Sequence, residues 1–118
     1  MKQTHTGLAR IIYATGFSIN GFISAWKSEA ALRQEVTLLL PLAITALFLP
    51  VSKSEQILLI GSLILVLIVE LLNSAIETVV DRIGSEWHEL SGQAKDIASA
   101  AVLTSLIFAA FTWSWILI

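Results

Sequence analysis

Three polar side chains, Glu70, Asn73 and Glu77, interrupt the most apolar part of the chain at spacings of three and four residues. On a helix of 3.6 residues per turn these positions share one face. Glu70 directly follows residues 57–69, in which only Gly61 and Ser62 are not aliphatic. A carboxylate in hydrocarbon costs roughly 2.5–3.5 kcal/mol, and desolvation makes it a stronger base toward a hydroxyl proton. This face therefore predicts general-base chemistry by Glu70.

Glu77 is a candidate metal ligand on the same face. Magnesium prefers one or two carboxylates together with substrate phosphates and water. Glu29, ahead of the first apolar segment, could supply a second carboxylate, although its spacing does not show that the two meet. Two simpler interpretations stay open: Glu70 as a protonated, hydrogen-bonded packing residue, and Glu77 with Asp81 as a solvated helix end.

Residues 81–96 carry many charges and several glycine and serine residues for so apolar a chain. Lys95 and Asp96 stand where a third apolar helix is expected to begin, and offer a cation for phosphate and an anion for a metal or a ribose. The alternative is a hydrated connector. His88 followed by Glu89 does not form a zinc motif of the H-E-x-x-H type, because position 92 is Gly.

The elements that must position these residues are transmembrane helices. Of the 118 residues, 56% are hydrophobic and 14% are charged, and the mean hydropathy is +0.82. Three apolar segments, at about 30–49, 56–80 and 97–118, predict three spans, with a kink at Pro41. An apolar stripe over about 5–27 predicts an amphipathic helix on the membrane surface, which Gly16 or Gly21 could break.

Charge sets the orientation and excludes one class of partner. Lys53 alone occupies the connection between the first two spans, whereas the other six lysine and arginine residues lie ahead of the apolar run 36–49 or within 81–96. The N-terminus and the 81–96 loop are therefore expected in the cytoplasm, with Glu70 about 15 Å below that surface. The net charge of −2 lacks the basic footprint of a nucleic-acid binder.

Three motifs resemble the prokaryotic integral-membrane diacylglycerol kinases: EAALRQE at 29–35, VELLNSAIETVVDRIGSEWHELSGQAKD at 69–96 and SAAVL at 99–103. The resemblance covers nearly the whole chain. It implies a single all-α kinase domain, with a surface helix and three transmembrane helices, that forms a homotrimer in the bacterial cytoplasmic (inner) membrane. It also implies Mg²⁺- and ATP-dependent phosphorylation of diacylglycerol to phosphatidic acid, at sites shared between protomers.

The resemblance also implies residue roles. Glu70 would be the general base, with Asn73 beside it, and Glu29 and Glu77 would hold Mg²⁺ on ATP. The residues implied to contact the nucleotide are Arg10, Phe17, Glu29, Glu77, Glu86, Trp87, His88, Lys95 and Asp96. Those implied to contact the lipid are Arg10, Ala14, Thr15, Gly16, Phe17, Ser18, Ile19, Arg33, Gln34, Glu35, Glu70, Ser99 and Trp113. Phe17 and Trp87 depart from the family pattern, since each stands where a tyrosine is familiar.

Two other functions remain as alternatives. Related kinases phosphorylate undecaprenol, and the catalytic motif does not separate the two acceptors, although the HELSG segment is more similar to the diacylglycerol branch. A small oligomeric transporter could instead use Glu70 as an ion site. That function would require neither Glu29 nor Lys95.

Overall fold

A computed structural model describes residues 6–84 and 86–118 of the chain. All regular structure in this part is helical, in four elements: α1 (Gly7–Ser28), α2 (Ala30–Phe48), α3 (Lys53–Ile83) and α4 (Glu89–Leu117). The predicted all-α fold is therefore confirmed. α2, α3 and α4 are each long and apolar enough to cross a membrane, as expected. The surface helix was expected to start at about residue 5, which lies outside the described residues. Lys2 and Ser85 also lie outside them.

The ends of α3 and α4 differ from those that hydropathy predicts. Residues 81–96 were expected to form a loop, but α3 continues to Ile83 and α4 begins at Glu89. Lys95 and Asp96 consequently lie inside α4. Hydropathy marks where the apolar surface ends, whereas caps mark where helical hydrogen bonding ends. Here the Nδ1 atom of His88 accepts a hydrogen bond of 3.1 Å from the backbone N–H of Leu90.

The start of α3 is likewise set by a cap. Ser52 Oγ accepts from the backbone N–H of Glu55 at 3.1 Å, and Glu55 Oε1 accepts from the backbone N–H of Ser52 at 3.0 Å. This reciprocal capping box starts the helix three residues before the expected span at about 56. No helix ends at Pro41, Gly16 or Gly21. α2 continues through Pro41, and α1 continues through both glycines.

The buried core lies along α3, which packs most extensively on α4 and next on α2. Ser62, Val66, Glu70 and Ser74 recur every four residues on its buried face. The facing side of α4 buries small side chains, namely Ala98, Ser105, Ala109 and Thr112. Small residues let helices approach closely where lipid supplies no hydrophobic drive between them. α1 makes fewer contacts with the rest of the chain.

Two side chains form hydrogen bonds between helices at the end of the bundle opposite Glu29. Gln56 Nε2 donates to the backbone carbonyls of Ala46 and Leu47, both at 3.1 Å, and so caps the end of α2. Trp113 Nε1 donates to the backbone carbonyl of Leu59 at 3.1 Å and joins α4 to α3. These contacts hold the register of the helices that position the polar face of α3.

Candidate active site

Glu70 lies in the packed interface between α3 and α2. Its side chain is buried, with a residue exposure of 3%. The carboxyl group of Glu35, on α2, lies beside that of Glu70, and Glu35 Oε2 is buried without a hydrogen-bond partner among the described residues. Glu70 is thus a buried carboxyl group with a second carboxyl group as its neighbour.

Asn73 and Glu77 continue the polar face of α3 toward Ile83. Asn73 Nδ2 donates a hydrogen bond of 2.9 Å to Glu77 Oε1. The other polar atom of the same amide, Asn73 Oδ1, is buried and accepts no hydrogen bond from the described part of the chain. An orphaned buried acceptor is costly, typically by about 1–3 kcal/mol. It is therefore a position where a bound cation or donor would be stabilised.

Glu29 reaches this face from the junction of α1 and α2. Burial, and then the negative charges of Glu77, Glu70 and Asp81, raise the pKa of the Glu29 carboxyl group. The Glu29 carboxyl group therefore lies near that of Glu77. The structure therefore brings together two carboxylates that are 48 positions apart in sequence (77 − 29).

Glu29 and Glu77 with Asn73 Oδ1 make a donor set that fits magnesium. All three supply oxygen, the kind of ligand that magnesium prefers, and the negative charge of Glu77 raises the pKa of the Glu29 carboxyl group beside it. Among the described residues, no three acidic or histidine side chains converge on one point. An ion held here would draw its remaining ligands from water and phosphate, as magnesium commonly does.

A cleft of about 460 Å³ opens at the end of α3 nearest the 84–88 connection. It is lined by several residues expected to bind nucleotide: Glu86, Trp87, His88 and Lys95. Lys95 Nζ donates to Asp81 Oδ1 at 2.8 Å, which joins the first turns of α4 to the last turns of α3. The other residues expected to bind nucleotide do not line this cleft: Arg10, Phe17, Glu29, Glu77 and Asp96.

The residues expected to contact lipid are spread over three regions of this chain. Those on α1 are all exposed: Arg10, Ala14, Thr15, Gly16, Phe17, Ser18 and Ile19. Ser18 borders a groove of about 530 Å³ between α1 and α3. Gln34 and Ser99 are exposed on α2 and α4. Trp113 bonds to Leu59, which lies about 16 Å along α3 from Glu70 at 1.5 Å per residue.

Sequence reasoning missed three features of the site. Asp81 pairs with Lys95, although helical spacing could have extended the face from Glu77 to Asp81. Ser74 Oγ is buried without a partner among the described residues, at the groove between α1 and α3. Arg33 bonds to the backbone of α1, a contact for which the sequence carries no signal.

Comparison with known proteins identifies a close group of relatives. Residues 16–117 match the family described as prokaryotic diacylglycerol kinase. A diacylglycerol kinase of Escherichia coli (strain K12) is 55% identical over 113 residues, covering 96% of this chain and 93% of that protein. One from Pseudomonas aeruginosa is 50% identical, covering 96% and 92%. A more distant one, from Helicobacter pylori (strain J99), is 43% identical, covering 91% and 84%.

Proposed function

The chain belongs to the prokaryotic diacylglycerol kinase family of lipid kinases, and we propose that it phosphorylates diacylglycerol with ATP, using Glu70 as the general base. One observation carries the base assignment. The Glu70 carboxyl group is buried at the α2–α3 interface, on a polar face that continues through Asn73 and Glu77 toward the cleft beside Lys95. A lipid hydroxyl approaching from the apolar side and a nucleotide approaching from the polar end would meet along this face.

The reaction is a single displacement at phosphorus. Glu70 accepts the hydroxyl proton while the lipid oxygen forms a bond to the γ-phosphorus and the bond from that phosphorus to the ADP oxygen breaks. The products are phosphatidic acid, ADP and a proton on Glu70. Because phosphoryl transfer requires little covalent chemistry from the protein, positioning and charge stabilisation supply most of the rate enhancement. The buried position of Glu70 also keeps water from competing as acceptor.

Glu29 and Glu77 are proposed to hold Mg²⁺, with Asn73 orienting Glu77. When bound, the ion would neutralise the charge of the ATP phosphates. The support is the convergence of the two carboxylates and the orphaned Asn73 Oδ1. Asn73 Nδ2 holds one Glu77 oxygen, so the second oxygen remains available for a metal.

The 84–88 connection and the first turns of α4 are proposed to bind ATP. Lys95 supplies a cation for phosphate, and the exposed indole of Trp87 supplies a stacking surface for a base. Glu86 and His88 line the same cleft. The other residues proposed to contact nucleotide, on the basis of family resemblance, are Arg10, Phe17 and Asp96.

The lipid is proposed to lie against α1 and α2 beside Glu70. The exposed apolar residues of α1 include Ile12, Ile19 and Phe22, which suits a helix on the membrane surface next to acyl chains. Trp113 bonds to Leu59, about 16 Å along α3 from Glu70, so its proposed lipid contact would be with the acyl chains and not with the reacting hydroxyl. A homotrimer with shared sites is proposed on the basis of the family resemblance.

The proposed setting is the bacterial inner membrane, with the N-terminus and the 84–88 connection in the cytoplasm. Three basic residues lie near the helix ends that are closest to Glu29 and Glu77, namely Lys27, Arg82 and Lys95. Lys53 begins α3 at the opposite end. The charge asymmetry therefore favours a cytoplasmic position for the cluster. ATP is available on that side.

The decisive experiment compares Glu70→Gln with wild type in mixed micelles that contain labelled ATP, magnesium and diacylglycerol, with undecaprenol in a parallel reaction. We expect wild type to label diacylglycerol, and Glu70→Gln to lose about 10²–10⁴-fold in rate, because glutamine does not accept the proton. Glu55→Gln is the matched control, since glutamine also completes a capping box at the far end of α3. Near-wild-type activity of Glu70→Gln would refute the base assignment, and labelling of undecaprenol alone would refute the acceptor.

A further inference from the structure

The junction between α1 and α2 consists of the single residue Glu29. α1 ends at Ser28 and α2 begins at Ala30, while Glu29 adopts an extended conformation with φ −117° and ψ 105°. Its backbone N–H donates to the Ala25 carbonyl at 2.9 Å, and its own carbonyl accepts from the backbone N–H of Arg33 at 3.3 Å. The angle of this elbow therefore determines where the Glu29 side chain points.

The Arg33 side chain spans the elbow from α2 back to α1. Its Nη1 atom donates to the backbone carbonyls of Trp26 and Lys27, the second at 3.1 Å. Both carbonyls lie in the last turn of α1, where helical carbonyls have no partner further along the helix. The positive guanidinium also complements the negative end of the α1 dipole. Arg33 is thus a cap that one helix supplies to the other.

The elbow places the acidic side chain of Glu29 near other acidic side chains. Glu29 is brought toward Glu77, Glu70 and Asp81, all of which carry the same sign of charge when ionised. α1 packs only lightly on α2 and α3, so packing alone restrains it weakly. In the described structure, the Arg33 hydrogen bonds are side-chain contacts that join α2 to α1 across Glu29.

We propose that Arg33 is a positioning residue: its guanidinium fixes the elbow between α1 and α2 and thereby holds the Glu29 carboxylate beside Glu77. The inference rests on the proposed function, in which these two carboxylates bind magnesium. It assigns to Arg33 a role different from the lipid contact that family resemblance implies. Within the described part of the chain, both side-chain hydrogen bonds of Arg33 go to the protein backbone.

The two roles of Arg33 predict different kinetics. If Arg33 positions Glu29, Arg33→Gln should raise the magnesium concentration needed for half-maximal activity by about tenfold, because residues that orient metal ligands contribute about 10–100-fold to metal affinity. The KM for diacylglycerol should stay within twofold of wild type. Arg33→Lys should recover part of the effect, since one ammonium group can still donate to these carbonyls. Lys27→Gln removes a positive charge from the same elbow and should leave both parameters unchanged.

Other outcomes would overturn the proposal. A raised KM for diacylglycerol with an unchanged magnesium requirement would make Arg33 a lipid ligand. An Arg33→Gln enzyme unchanged in both parameters would show that the cap does not position Glu29. If the wild type itself had no magnesium-dependent kinase activity, the proposed function would fail instead, and the measurement described next would still test the elbow.

A distance measurement tests the elbow without relying on activity. The chain contains no cysteine, so spin labels at Ser24→Cys on α1 and Ala75→Cys on α3 would be the only ones present. Both positions line the groove between these helices. With labelled protein diluted in unlabelled protein, Arg33→Gln should broaden and lengthen the distance distribution, whereas Lys27→Gln should not. An identical distribution in Arg33→Gln would refute the positioning role.

Discussion

The two polar atoms of the Asn73 amide have different surroundings. Its Nδ2 atom donates to Glu77 Oε1 at 2.9 Å, whereas its Oδ1 atom is buried without a partner among the described residues. A structural amide would satisfy both atoms within the protein. The geometry instead leaves the Glu77 carboxylate oriented and the Oδ1 acceptor of the same amide open. This arrangement leads to the first prediction.

Replacing Asn73 with Ala should raise the magnesium concentration for half-maximal activity by about 10–100-fold, because Glu77 loses the donor that orients it. A magnesium titration of kinase activity measures the effect. Thr78→Val is the matched control on the same helix, since the Thr78 hydroxyl bonds only to the Ser74 carbonyl of its own helix in the described structure. An unchanged magnesium titration of Asn73→Ala would contradict the orienting role.

Replacing Glu29 with Gln should stabilise the magnesium-free protein while impairing activity. Burial and the neighbouring carboxylates disfavour the charged form of Glu29, and glutamine carries no charge. The gain should appear as a small rise in melting temperature. Thermal unfolding in detergent with a chelator measures it, and Glu55→Gln controls for the substitution type. A lower melting temperature for Glu29→Gln would argue against the crowding of carboxylates.

Magnesium should stabilise the wild-type protein. If Glu29 and Glu77 bind the ion, adding magnesium should raise the melting temperature of the wild type, since a ligand that binds only the folded state stabilises it. The rise should be smaller in Glu77→Gln, which lacks one carboxylate. Equal rises in wild type and Glu77→Gln would place the magnesium elsewhere.

Replacing Asp81 with Asn should weaken ATP binding more than it weakens the fold. The Asp81–Lys95 pair is 2.8 Å long, and its side chains are 67% and 45% exposed. Exposed pairs contribute about 0.2–1 kcal/mol, so little stability is at stake. Loss of the contact that holds Lys95 at the cleft should raise the KM for ATP about two- to fivefold. An unchanged or lower KM would mean that Asp81 does not orient Lys95 for phosphate.

Replacing Trp113 with Phe should lower the melting temperature, because the indole N–H that bonds to Leu59 across α3 and α4 is lost. Polar contacts between membrane helices average about 0.6 kcal/mol, which corresponds to a decrease of a few degrees. Trp115→Phe is the control, because Trp115 is 77% exposed and only its ring contacts Phe111. Equal decreases in the two variants would indicate that lost aromatic area, and not the hydrogen bond, is responsible.

Much of the site follows from one helix. The relative positions of Glu70, Asn73 and Glu77 depend only on helical periodicity, and the Asn73–Glu77 hydrogen bond agrees with the predicted face. The three spans also follow from apolar runs, because a chain in lipid must satisfy its backbone hydrogen bonds internally and does so as helices. The approximate helix limits follow less well, since caps at Ser52 and His88 decide them.

The sequence by itself determined that a buried carboxylate stands on a polar face of a membrane helix, because local periodicity relates residues within a helix. Only the tertiary structure decided that Glu29 lies near Glu77, that Glu35 lies beside Glu70 and that Lys95 pairs with Asp81. Each of these pairs joins residues that are distant along the chain. Their geometry depends on packing angles and on the elbow held by Arg33, and no periodicity along the chain encodes those.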